Sequence, residues 1–151
     1  MQFRFLPPRL PERIATGAFI LHSGLEKWNG PAEQAEAVHG MATGAFPFLK
    51  SIAPERFLKF LAAGEVVVGA LLLAPFVPNA VAGASLIGFS GSLLAMYART
   101  PAMRKPGSIW PSPGGIPVSK DVWMLGIGLG LLADALRRRG RASVGSRQAP
   151  L

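Results

Sequence analysis

The chain contains no cysteine. That excludes disulfides, thiolate nucleophiles, Cys-ligated zinc, iron–sulfur clusters and CxxC redox chemistry together. Histidine is almost as scarce, with only His22 and His39 present, so a histidine-rich metal site is excluded and no metal is expected. Charge is short as well: 16% of the 151 residues are charged, against about 25% in an ordinary soluble domain. Acidic groups are the rarer sign, 8 against 16 Lys and Arg, which leaves a formal net charge of +8. Hydrophobic residues make up 50% of the chain. A chain that is both basic and this apolar points to a membrane, because nucleic-acid binders are basic but seldom oily; nucleic acid is not an expected partner. The length allows one domain.

A membrane-crossing helix needs about 20 mostly apolar residues. Residues Val66 to Ala98 carry no charge, a run too long for one span and broken by Pro75, Pro78 and Asn79. Pro-x-x-Pro-Asn is a turn signal and Asn79 a good N-cap, so two helices are predicted, about 54–77 and 80–99, joined by a tight hairpin. Another apolar stretch, Val122 to Leu136, follows Ser119-Lys120-Asp121, where Ser119 can cap and Asp121 suits the positive helix end. Arg137-Arg138-Arg139-Gly140 suits its end, so this helix is predicted over about 121–136. Ile14 to Leu25 is the shortest apolar run. Arg4, Arg9 and Arg13 before it and Ala35-Glu36-Ala37 after it leave a signal peptide as an alternative. Asn29-Gly30-Pro31 looks like a helix stop, which favours a retained helix over about 11–28 with Trp28 at the interface.

The fold class expected is therefore all-α, a transmembrane four-helix bundle with short membrane-surface outer segments. The expected layout is a basic arm over 1–10, a membrane domain over 11–136, and a basic tail over 137–151 expected to be disordered. The N-terminal segment through Arg13 and the tail hold Arg4, Arg9, Arg13, Arg137, Arg138, Arg139, Arg141 and Arg147, half of the basic residues, so the positive-inside rule puts both termini in the cytoplasm. Anionic lipid headgroups are the ordinary counterpart of such a tail. Pro31 to Ser51 reads as a surface-lying helix with Phe46 and Phe48 dipping into lipid. Thr100 to Lys120, with five prolines, is expected to be a non-helical loop capping the outer end, anchored by Ile109 and Trp110.

The few polar residues inside the apolar runs are the candidate sites. Glu65 falls near the middle of the second predicted helix, where a charge costs about 2.5–3.5 kcal/mol on insertion scales. It must face the bundle, find a partner or be protonated; it reads either as a proton-carrying or ligand-binding carboxylate or as a structural tie between helices. His22 and Glu26, and Ser23 and Lys27, are i,i+4 pairs at the outer end of the first helix. With the second helix antiparallel, His22 or Lys27 can reach Glu65; the alternative is that Lys27 snorkels and Glu26 is solvated. Asp134 reads as a structural partner of Arg137 or Arg138. Gly126 and Gly130 on the last helix, and Ala84 and Gly88 on the third, repeat at i+4 and read as packing faces. Gly126-x-Gly128-x-Gly130 is not a nucleotide loop, because no strand precedes it. No internal repeat is evident.

The pattern Arg13-x-x-x-Gly17-x-Phe19-x-x-x-x-Gly24-x-x-Lys27, then Glu65-x-x-x-Gly69-Ala70-Leu71-Leu72-Leu73, then a last helix entered from Lys120-Asp121, resembles the DoxX family of small four-helix membrane proteins. The resemblance covers about residues 10–136. It implies a multi-pass protein of the bacterial cytoplasmic membrane associated with redox chemistry. Some relatives look like subunits of quinone-reducing thiosulfate oxidation, some accompany oxidative-stress enzymes, and distant ones act as assembly chaperones. Without cysteine, a thiol-based role is excluded here.

Three functions follow as expectations. The first is a redox-associated membrane subunit, partner to a redox enzyme, with a quinone or similar lipid-soluble ligand held by His22, Lys27 and Glu65. The second is a non-catalytic assembly partner of other membrane proteins. The third is a small-molecule or proton transporter, which four spans without inverted repeats support poorly unless the chain forms a homodimer. No motif for flavin, haem or iron–sulfur binding is present, and whether the protein is an enzyme is left open by the sequence.

Overall fold

The computed structural model describes residues 9–147, with side chains through residue 141. Arg4 and most of the basic arm lie outside the described residues. The elements are α1 (Leu10–Trp28), α2 (Ala32–Ala45), a 3-10 turn (Pro47–Ser51), α3 (Pro54–Leu73), α4 (Asn79–Arg99), a second 3-10 turn (Pro101–Met103), α5 (Ile116–Ser119) and α6 (Asp121–Arg147). Among the described residues there is no strand, and one isolated bridge joins Arg104 and Pro111. The chain is all-helical.

Several boundaries depart from the sequence reading. α3 was expected to reach Val77 but ends at Leu73. Pro75 cannot donate to the carbonyl four residues back, and the residue before a proline is pushed out of the helical region. Asn79 was expected as a cap, yet Pro78 holds the cap position and Asn79 is the first helical residue, leaving its amide available for other partners. The stretch 100–120 was expected to hold no helix. It holds the Pro101–Met103 turn and one turn of α5, where Pro117 sits in the first turn and needs no N–H partner. Ser119 ends α5, and its hydroxyl donates to the Ile116 carbonyl rather than capping α6. The tail was expected to be disordered from residue 137, but α6 continues to Arg147. Arginine is a good helix former, and the two glycines of this stretch, Gly140 and Gly145, cost only about 1 kcal/mol each. Residues 148–151 lie outside the described residues.

Two antiparallel pairs form the body: α1 packs on α3 and α4 on α6. Small residues let each pair close. A Cβ at Gly69 would stand 2.7 Å from Leu21 of α1, and one at Gly24 would stand 2.9 Å from the Ala62 carbonyl of α3. In the other pair, a Cβ at Gly83 would meet the Gly128 carbonyl at 2.8 Å. The expected packing faces were displaced. Gly88 and Gly126 have open space where a Cβ would stand, and Ala84 and Gly88 are exposed. The i+4 spacing of Ala84 and Gly88 defines a face, but Gly83, Leu86 and Ser90 define the one turned inward. Gly130 does serve a contact, with the Arg9 guanidinium over it.

Where the two pairs meet, Ile20, Val68, Leu72, Leu86 and Leu131 form the core. At one end of the body lie Arg13, the α3–α4 turn and Asp134; this is the arginine end. At the other lie Lys27, Asp121 and α5, with α2 packed on α3 and α4; this is the lysine end. Two helical stretches, Asn79–Arg99 and Ile116–Arg141, are long and apolar enough to cross a membrane. Only 22% and 11% of their apolar windows are buried within the protein, whereas the core helix of a soluble protein is mostly buried.

Candidate functional site

Glu65 is 5% exposed and faces the bundle interior. Its place on α3 follows from helical spacing, since Leu58, Ala62, Glu65, Val68, Gly69 and Leu72 share the buried face. α1 presents Arg13, Thr16, Gly17, Ile20 and Gly24 by the same periodicity, and Ser23 and Lys27 continue that side. Antiparallel packing then brings Lys27 against Glu65. The Lys27 ammonium donates to both carboxylate oxygens, at 3.0 and 3.1 Å. It also donates to the Ser23 hydroxyl, and its distance to the Ser23 carbonyl is 3.4 Å. The Ser23 hydroxyl lies 3.5 Å from Glu65 Oε1.

His22 and Glu26 do not join this cluster. Their side chains are 73% and 68% exposed and meet each other at 3.5 Å. Two residues from Ile20 along a helix is a rotation of about 200°, so His22 points away when Ile20 points in. Of the two candidates to reach Glu65, Lys27 does so and His22 does not. Asp121, expected to serve only the helix end, has a second position: it lines the same cavity as Glu65, Lys27 and Ser23. Its carboxylate has no hydrogen-bond donor among the described residues.

The cavity measures about 290 Å³ and is otherwise apolar, with Phe19, Leu61, Phe89 and Met124 in its wall. It has a neighbour. A cleft of about 440 Å³ runs between α1 and α6, lined by Ala15, Thr16, Phe19, Trp123, Met124 and Ile127. Phe19, Pro117, Asp121 and Met124 belong to both spaces. Phe19 is 65% exposed and Trp123 68%, so the cleft opens sideways onto the apolar outer surface.

The arginine end holds a residue that the sequence marks as a topology charge and as the first position of the α1 pattern, with no partner assigned. Arg13 is 2% exposed. Its five N–H groups make five hydrogen bonds: to the carbonyls of Leu71, Leu72, Ala74 and Val77 at 2.7–3.0 Å, and to Asn79 Oδ1 at 2.9 Å. The last carbonyls of a helix have no partner inside it. α3 ends without a glycine cap, and the Arg13 side chain supplies the missing donors. The signal was present: an arginine at the same spacing as Gly17 and Gly24, facing a helix that Pro75 cuts short. From Asn79 the chain of bonds continues, its amide donating to Asp134 Oδ2 at 3.2 Å, with Arg138 Nε at 3.0 Å on the same oxygen. Asp134 was expected beside Arg137 or Arg138, and Arg138 is the one.

Among the described residues, no group of three or more His, Asp or Glu side chains could hold a metal ion. No family model, curated protein or solved structure matches this chain.

Proposed function

We propose that the chain is a DoxX-type, four-helix protein of the cytoplasmic membrane, with α1, α3, α4 and α6 as its spans and both termini on the cytoplasmic side. In this reading it is a redox-associated membrane subunit that binds a quinone-like, lipid-soluble ligand. Physical support for the spans comes from length and surface. α1 has 19 residues and α3 has 20, about 28–30 Å at 1.5 Å per residue, matching a hydrocarbon core of about 30 Å. Three of the charges on α1 and α3 are tied inward, Lys27 with Glu65 and Arg13 to carbonyls, while Glu26, Glu55, Arg56 and Lys59 are exposed toward the lysine end. Phe60, Val67, Phe76 and Trp123 are more than half exposed, a surface that water would penalise and lipid would not.

The observation that carries the ligand reading is the lateral cleft between α1 and α6, continuous in its lining with a cavity that holds Lys27, Glu65 and Asp121. A molecule dissolved in the bilayer reaches such a site without crossing water. The test is the absorbance and lipid extract of the protein purified in mild detergent, together with oxidant sensitivity of cells carrying Glu65→Gln. A co-extracted quinone and altered sensitivity are expected; no quinone and unchanged sensitivity would sink the reading.

A second reading, an assembly partner of other membrane proteins or a homodimer, is favoured by the exposed Ala84 and Gly88 and by the open space at Gly126. Small residues on an outward face let another helix approach closely. Crosslinking from Ala84→Cys, in a chain with no other cysteine, should capture a protein partner or a second copy. Capture of neither removes this reading.

A further inference from the structure

The polar groups of the cavity have a direction: they accept hydrogen bonds and have no donor to spare. This inference rests on the reading that the cavity takes a lipid-soluble ligand. An ammonium has three N–H donors and no acceptor. Around Lys27 stand Ser23 Oγ, both oxygens of Glu65 and the Ser23 carbonyl, more acceptors than it has hydrogens. The Ser23 hydroxyl is directed at Glu65. The Thr16 hydroxyl, in the cleft, donates to the Glu12 carbonyl at 2.7 Å. His22 is outside. Lys120 and Trp123 carry donors at the exposed rim of the cleft and do not line the cavity. What remains is Asp121, an acceptor in its ionised form, with no hydrogen-bond partner among the described residues and a place in the lining of both cleft and cavity.

A quinone ring offers two carbonyl oxygens, which only accept. Its reduced form offers two hydroxyls, which donate. We infer that the site binds the hydroxyl-bearing form, a hydroquinone or comparable lipid-soluble phenol, in preference to the carbonyl form, and that Asp121 accepts the ligand's hydroxyl. A ring entering between α1 and α6 meets Asp121 where cleft and cavity join, with Phe19 and Met124 available to pack on its faces. Lys27 then holds Glu65 in place and does not contact the ring.

The experiment uses the full chain in detergent under anaerobic conditions at neutral pH. The ligands are a decyl-tailed benzoquinone and the same molecule chemically reduced, with binding followed by quenching of tryptophan fluorescence. A hydrogen bond to a charged acceptor is worth enough to expect the reduced form to bind about tenfold more tightly, or better. Asp121→Asn, which replaces one acceptor oxygen by a donor, should bring the two affinities within about threefold by weakening the hydroquinone and strengthening the quinone. Asp121→Glu should restore the preference. Equal affinities in the unmodified protein, or tighter binding of the quinone, would overturn the inference and leave the ligand reading standing. Binding of neither form would overturn both. Should Asp121→Asn fail to fold, the preference measured in the unmodified protein decides alone.

Discussion

Both ends of the bundle bury a cation from α1 against α3, and they do so differently. At the arginine end, the planar guanidinium of Arg13 meets four backbone carbonyls and one amide oxygen, and every donor is matched. At the lysine end, Lys27 meets a single carboxylate, and a second carboxylate, Asp121, faces the same space without a partner. The first is a closed tie, extended through Asn79 and Asp134 to Arg138, that binds the two helix pairs where the chain turns. The second borders a cavity. Arginine suits the first because its rigid fork satisfies several fixed acceptors at once, while lysine is a point charge on a flexible stem. A matched site holds structure, and an unmatched one leaves room for a ligand.

This contrast predicts how substitutions at the two ends will differ. The largest effect is expected at Arg13. Arg13→Met leaves the Leu71, Leu72, Ala74 and Val77 carbonyls without their donor, and no second side-chain change can compensate, because the partners are backbone. A loss of roughly 3–5 kcal/mol is expected, by analogy with removing one partner of a buried pair, read as a large drop in thermal midpoint in detergent. A midpoint near that of the unmodified protein would break the comparison.

At the lysine end, Glu65→Gln strands a mostly buried ammonium and should also destabilise, by roughly 1–3 kcal/mol. Here a second change should rescue. The double variant Lys27→Met with Glu65→Gln removes both charges and should recover most of the loss, since a buried pair replaced whole is often neutral. A double variant no more stable than the single one would argue that the pair does more than neutralise itself.

A smaller difference is expected between glycines. Gly69→Ala forces a methyl onto the Leu21 backbone and should cost about 1–3 kcal/mol as overpacking. Gly88→Ala meets open space and should leave the midpoint unchanged or slightly raised. Similar losses at both positions would mean that Gly88 packs against something beyond the single chain. The smallest effect is expected at His22→Ala, a side chain 73% exposed, which should change neither stability nor ligand binding. Loss of binding in that variant would restore His22 to the site.

Much of this is legible in the sequence. The uncharged run Val66 to Ala98, cut at Pro75 and Pro78, predicts a helical hairpin because proline withholds a donor and fixes its neighbour. Glu65 stands out because a charge surrounded by valine and leucine must be explained. Lys27 was one of two candidates for its partner. Arg13 was less visible, since a single arginine before an apolar stretch has the look of a topology signal. Only the short α3 reveals the carbonyls it serves. The sequence marks Asp121 as a helix-end charge, which is its local role; its nearness to Glu65 joins positions far apart in the chain.

The sequence by itself determined the helical periodicities, the hairpin and the scarcity of charge within the apolar runs, because these depend on neighbours along the chain. Which small face packs, Gly83 rather than Gly88, was decided only in three dimensions. So were the exclusion of His22 and the meeting of Lys27, Glu65 and Asp121 beside a lateral cleft. A helix face is defined by spacing, but its rotation is chosen by where two backbones approach most closely, and that depends on both helices at once.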